Sequence, residues 1–196
     1  MIPPEPSADS AFDIFAQRLT PARARDFQMI HAGIAFACMF GLAVNFFLYG
    51  LGSESPPAEG PVAFMWLLTY LFIGLVVVCA AVAAVLPRWL LSPGRLRAGL
   101  AAAGEKGSAG WAEKGLRMLR TALAVRLAFL AGPSLIGLVL SLFALRIGVL
   151  FYNPEFAILA VPVCITLVYL GSTFPTHDRL LAMVKSRIVA KLGPEM

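Results

Sequence analysis

The chain of 196 residues is 59% hydrophobic and 14% charged, with a mean hydropathy of +0.81, which excludes an ordinary water-soluble domain and a disordered chain. Its 16 lysines and arginines against 11 acids leave a formal charge of +5, a balance that on a soluble domain would point to nucleic acid. Here the basic residues flank long uncharged runs, so they are membrane anchors that face anionic headgroups, and no nucleic-acid partner is expected.

The opening MIPPEPSADS is proline-rich and acidic and predicts a disordered tail. It lacks the basic start and closely following apolar run of a secretory signal peptide, which leaves an uncleaved first span as the insertion signal. Ser10 with Asp13 resembles a capping box, and Phe12, Phe15 and Leu19 share a helical face. These predict a short interfacial helix with its aromatics in the headgroup layer. Thr20 before Pro21 is a cap with proline at the first helical position, so a second helix starts there.

Residues 27–52 contain no Lys, Arg, Asp or Glu and one histidine, His31. Gly33, Ala37 and Gly41 recur at intervals of four with Asn45 next; this predicts a face where another helix approaches closely and Asn45 supplies an interhelical hydrogen bond. The link GLGSESPPAEGP is built of turn formers. Residues 62–86 form an uncharged run of 25, roughly 37 Å as a helix and enough to cross a hydrocarbon core of about 30 Å. Trp66 and Tyr70 sit near its outer end and Trp89 just past its inner end, as an aromatic belt requires.

The segment after Pro87 carries Arg95 and Arg97, then a break at Gly104, Gly107 and Gly110. From Trp111 onward, Trp111, Gly115, Met118 and Leu119 oppose Glu113, Lys114, Arg117 and Arg120, an amphipathic pattern leading into the third span. No nucleotide-binding glycine loop is spelled. Residues 127–145 are uncharged and framed by Arg126 and Arg146. Pro133 bends this helix, and Pro133, Gly137 and Ser141 make a second face of little bulk. Arg126 is a topology anchor, with an anionic ligand or lipid headgroup as its other use, and Arg146 is expected to pair with Glu155. Residues 156–174 form the fourth span, interrupted at Pro162. Thr176 then caps a last helix with Asp178 in its first turn, and Leu181, Val184, Ile188 and Leu192 form its apolar stripe.

The fold class is therefore all-α: a polytopic membrane protein with four transmembrane helices in two hairpins and short interfacial amphipathic helices. Its parts are a tail and interfacial helix at 1–20, a first hairpin at 21–86, an amphipathic connector at 87–120, a second hairpin at 121–174 and an amphipathic tail at 175–196. Basic residues crowd the connector, the segment before the first span and the tail after the fourth, while the first link holds Glu54 and Glu59 alone. Both termini and the connector are thereby placed in the cytoplasm. Arg25 before the first span and Arg126 before the third suggest two related halves in parallel orientation.

The stretch AVRLAFLAGPSLIGLVLSLF resembles the carboxylate-bearing helix of rotary ATPase proteolipid subunits, but Ala131 stands where that family carries its ion-binding carboxylate. The resemblance therefore implies no ion carriage. The overall plan, with Phe174-Pro175-Thr176 before a charged tail, is similar to small uncharacterised bacterial inner-membrane proteins made of two helix hairpins; that resemblance implies a multi-pass location in the bacterial inner membrane and no activity.

No carboxylate falls inside a predicted span, and Cys38, Cys79 and Cys164 lack metal or redox spacing and are expected to pack as small hydrophobes. His31 and His177 are expected to be satisfied interfacial histidines, so no catalytic, cofactor-binding or metal-ligating residue is assigned and no cofactor is expected. The leading expectation is a noncatalytic accessory or assembly subunit that acts through helix packing on a membrane-protein partner or a second copy. The alternative is a small-solute or ion transport protein working as an oligomer. A headgroup enzyme would have to gather Asp26, His31, Arg126 and His177. The topology is checked by cysteine labelling in a cysteine-free background. Residues 1–25, the connector and the segment after Phe174 should react only from the cytoplasmic side, and labelling of the connector from outside would reverse the orientation.

Overall fold

The computed structural model describes residues 8–52, 59–104 and 108–192. The acidic tail at 1–7, the centre of the first link at 53–58, residues 105–107 with Gly107, and residues 193–196 lie outside that description, as do the side chains of residues 8–11. The described chain is all-α, with α1 (Ala8–Arg18), α2 (Pro21–Gly50), α3 (Glu59–Leu90), α4 (Pro93–Ala101) and α5 (Ala109–Arg146). A short α6 (Val149–Tyr152), a 3₁₀ segment (Pro154–Ala160), α7 (Val161–Ser172), α8 (His177–Val184), a π turn (Lys185–Val189) and α9 (Ala190–Leu192) complete it. Four segments are long and apolar enough to cross a membrane: Pro21–Gly50, Glu59–Leu90, Ala109–Arg146 and Pro154–Ser172.

Local chemistry accounts for most of the helix boundaries. The Thr20 hydroxyl accepts from the Arg23 amide at 3.4 Å, so α2 starts where the Thr-Pro pair predicts. The Thr176 hydroxyl likewise accepts from the Arg179 amide at 3.3 Å and starts α8. Gly148, at φ +78°, adopts the left-handed conformation that ends α5, which a side chain would resist. By contrast α1 begins at Ala8, so Ser10 lies within the helix rather than at its cap. Helix α5 is 38 residues, about 57 Å, far more than a hydrocarbon core needs.

The chain divides into two compact units. Unit 1 holds residues 1–30, 84–126 and 175–196; unit 2 holds residues 31–83 and 127–174.

Unit 1 is built from the amphipathic pieces. Phe15 and Leu19 of α1, Leu96 and Leu100 of α4, Trp111, Leu116 and Leu119 of α5, and Leu180, Val184, Ile188 and Leu192 of the C-terminal segment form one buried cluster. The Phe15 and Trp111 rings lie 5.0 Å apart. Phe15 is thus fully buried, and the expectation that it sits in a headgroup layer is corrected. The physical reason is that α1, α4, α5 and α8 each carry a single apolar stripe, and these stripes bury one another.

Unit 2 is organised on α5, whose most apolar window is 44% buried against 11% for α2 and 17% for α3. One buried cluster joins Cys38 of α2 to Leu138 and Val163; another joins Met65 and Phe72 of α3 to Ala144, Val149, Phe156 and Leu159. Each of these clusters therefore pairs the third and fourth spans with one of the first two. The small face of α5 is a close contact as expected: a Cβ on Gly137 would collide with the Leu159 carbonyl oxygen and stand 2.8 Å from the Phe72 ring. Small residues are required there because backbone meets backbone.

Within the chain, only part of the small row of α2 is a contact. A Cβ at Gly33 would meet nothing within 4 Å, and Ala37 is exposed, while Gly41 packs on Leu138 and Asn45 is buried. Residues four apart advance about 400°, so an i, i+4 row drifts about 40° per step and about 120° over three steps. Only its outer end can face the same neighbour. The residues that pack against the third and fourth spans are Ile34, Cys38 and Leu42. Two further expectations fail: Cys164 is exposed, and Arg146 and Glu155, both exposed, form no ion pair among the described residues. Gly148, α6 and the start of the 3₁₀ segment stand between that pair in the chain.

The contrast between the two glycines is measurable. Gly137→Leu should lower stability in detergent by at least about 1–3 kcal/mol through overpacking against a backbone atom, while Gly33→Leu should leave the melting temperature unchanged. Equal losses would show that the contact at Gly137 is not what holds α5 to the fourth span.

Candidate functional site

Three of the residues that a headgroup enzyme would need, Asp26, Arg126 and His177, lie in unit 1. Asp26 lines a cavity of about 230 Å³ with Arg23, Glu113, Arg117 and Arg120, in which Glu113 and Arg117 pair at 3.7 Å. Arg126 lines a different cavity of unit 1. His177 lies in neither lining; its Nε2 is 3.0 Å from the Leu19 carbonyl oxygen, and its Nδ1 is 3.8 Å from the Asp178 carboxylate. His31 belongs to unit 2, is 5% exposed and meets the Phe174 ring edge-on at 6.4 Å. Asp26, Arg126 and His177 thus share no lining in these two cavities.

The Arg126 cavity is the most distinctive feature of unit 1. It measures about 410 Å³ and is lined by Ala84, Pro87, Arg88 and Leu91 from the end of α3, Arg126 from α5, and Arg187 and Lys191 from the C-terminal segment. Among the described residues its lining holds four cations and no carboxylate. Arg126, Arg187 and Lys191 are half-buried, and Arg88 is exposed. Local folding explains the placement. The stripe of Leu180, Val184, Ile188 and Leu192 buries one side of the tail, and the Lys191 ammonium donates to the Leu91 carbonyl at 2.8 Å, where α3 ends. The Arg97 guanidinium donates to the Leu192 carbonyl at 3.4 Å and closes the same end. Like charges gathered this way repel one another. An anion in the cavity would reverse that sign.

Unit 2 uses its polar side chains internally. The Asn45 amide donates to the Gly41 carbonyl at 2.9 Å, and its oxygen accepts from the Ser141 hydroxyl, joining α2 to α5 as the sequence predicts. The Ser134 and Thr166 hydroxyls lie 2.7 Å apart; both reach the Leu130 carbonyl, and Ser134 also reaches the Pro162 carbonyl. Thr69, fully buried, donates to the Met65 carbonyl at 2.8 Å. A cavity of about 190 Å³ beside Asn45 and Ser141 is otherwise lined by apolar residues such as Leu42, Phe46 and Leu150.

No family model, curated protein or solved structure matches the chain. The arrangement must therefore be understood from its own geometry. Of the cationic cavity, the sequence marked only Arg126 as a candidate for an anion. Arg88, Arg187 and Lys191 read as topology anchors because they are scattered over more than 100 positions. The available signal was the register of the tail stripe, which places Lys191 one turn after Arg187.

The Asn45 to Ser141 bond is testable by a double-mutant cycle. Asn45→Ala and Ser141→Ala should couple by about 0.6–2 kcal/mol in detergent stability, the range for interhelical hydrogen bonds in membranes. Strict additivity would mean that the bond contributes nothing to the packing of α2 on α5.

Proposed function

We propose that this protein is a noncatalytic accessory or assembly subunit of the bacterial inner membrane, with both termini cytoplasmic, that acts by packing the first span against a transmembrane helix of a partner protein. The resemblance of its plan to small bacterial inner-membrane proteins of two helix hairpins supports that location, and the charge bias of its loops supports the orientation.

The observation that carries this reading is the exposed inner half of the small row on α2. A glycine inside a helix costs about 1 kcal/mol relative to alanine, and Gly33 recovers nothing from its own chain, since no described atom lies within 4 Å of its would-be Cβ. With exposed Ala37 one turn on, it offers a strip along which another helix backbone can approach closely. The bulky exposed residues Phe36 and Phe40 border that strip and supply knobs for a partner. The hydrogen bonds of Asn45, Ser134, Ser141 and Thr166 further support packing over transport, because those side chains are spent on each other and on backbone carbonyls.

The test separates partner contact from folding. In membranes solubilised in mild detergent, Gly33→Leu and Ala37→Leu should each reduce the copurifying partner at least about fivefold, the scale of a 1 kcal/mol packing loss, with the melting temperature of the isolated chain unchanged. Undiminished copurification in both variants would refute the role of this face. Loss of a homodimer instead of a heterologous partner would identify the occupant as a second copy.

A further inference from the structure

We infer that the cavity formed by Arg88, Arg126, Arg187 and Lys191 is a binding site for the phosphate of an anionic phospholipid headgroup. This assignment stands independently of the accessory role, because it rests on unit 1 and on none of the residues of the exposed row on α2.

Three features carry it. The first is charge. Four cations from three separate segments line one cavity with no described carboxylate among them, whereas the cavity beside Asp26 in the same unit offsets Arg23, Arg117 and Arg120 with Asp26 and Glu113. The second is depth. Arg88 stands two positions past the uncharged run at 62–86, and Arg126 immediately precedes the uncharged run at 127–145, so both guanidinium groups fall at the level where hydrocarbon gives way to headgroups. The third is the mixed lining. Ala84, Pro87 and Leu91 supply an apolar flank for the glycerol and upper acyl chain, beside the cations that would take the phosphate. A volume of about 410 Å³ lies within the usual range for small-molecule sites and exceeds what a lone inorganic anion needs.

The donors suit a phosphate ester. Guanidinium forks can present paired N–H groups to two phosphate oxygens, and the Lys191 ammonium, positioned by its bond to the Leu91 carbonyl, keeps further donors for a third. Diffuse attraction of a basic surface to an anionic leaflet needs no such convergence. A built site of this kind instead predicts saturable binding of about one lipid per chain.

The experiment uses the full chain in a neutral detergent, with lipid retention read by native mass spectrometry. Short-chain phosphatidylglycerol should be retained at one molecule per chain and phosphatidylcholine should not, and retention should fall as salt rises. Arg126→Gln and Arg187→Gln should each weaken retention on the order of tenfold, as expected for loss of a charge-assisted phosphate contact. Arg88→Gln, at an exposed position, should do so with the melting temperature unaltered, which keeps the test valid should either other variant fold poorly. Arg18→Gln removes the same formal charge from the exposed end of α1 and should have no effect. Equal retention by Arg88→Gln, Arg187→Gln, Arg18→Gln and the native chain would overturn the proposal in favour of annular lipid. Displacement of phosphatidylglycerol by inorganic phosphate at equal concentration would overturn the lipid assignment and give the same cations to a soluble phosphate.

Discussion

A backbone amide or carbonyl in hydrocarbon has no water to bond, so every departure from regular helix must be repaired by the chain itself. Unit 2 shows two responses to that constraint. Pro133 and Pro162 each remove an amide from the pairing scheme; the Ile158 carbonyl, one turn before Pro162, accepts from the Val161 amide instead, and nearby the Ser134 and Thr166 hydroxyls are satisfied by each other and by the Leu130 and Pro162 carbonyls. The fourth span meets the same demand by tightening. Seven 3₁₀ residues at about 2.0 Å and 12 α-helical residues at about 1.5 Å reach about 32 Å, where 19 α-helical residues would reach about 28 Å. The 3₁₀ segment thus lengthens a short span while keeping its backbone bonds internal.

With polarity settled in this way, packing in unit 2 is decided by bulk. No hydrophobic force holds helices together in lipid, so close approach and dispersion must. The tightest approach is at Gly137, where α5 lies directly on the Leu159 carbonyl. Leu138, on the adjacent side of the same helix, fills the space over Gly41 and joins Cys38 and Val163. Consecutive residues of α5 therefore serve different neighbours, which accounts for its high burial relative to α2 and α3.

Unit 1 obeys the opposite rule, because water-facing helices are held by apolar burial. Its short helices have one apolar stripe each and cannot be stable alone. Gathering these stripes around Phe15, Trp111 and Ile188 leaves the basic faces turned outward. Where the tail returns past the end of α3, those faces converge on the Arg126 cavity. Basic residues that the sequence marks as topology anchors are thereby brought to one cavity.

Sequence alone determined the class, the number of spans and their approximate limits, because a run without charge long enough for the bilayer admits few alternatives. It also located Thr20 and Thr176 as helix starts, Gly137 and Ser141 as a contact face, and Asn45 as a cross-helix donor or acceptor, since those depend on local chemistry and helical period. It left open which neighbour Gly33 and Ala37 meet, and it misjudged Phe15, because such surroundings depend on which neighbour each turn meets. A row at intervals of four drifts around its helix, so periodicity names a face without saying how far along it the partner extends. Only the tertiary structure decided that Arg88, Arg126, Arg187 and Lys191 share one cavity, because their approach follows from how the stripes of α1, α4, α5 and the tail bury one another, a long-range packing outcome that no spacing along the chain encodes.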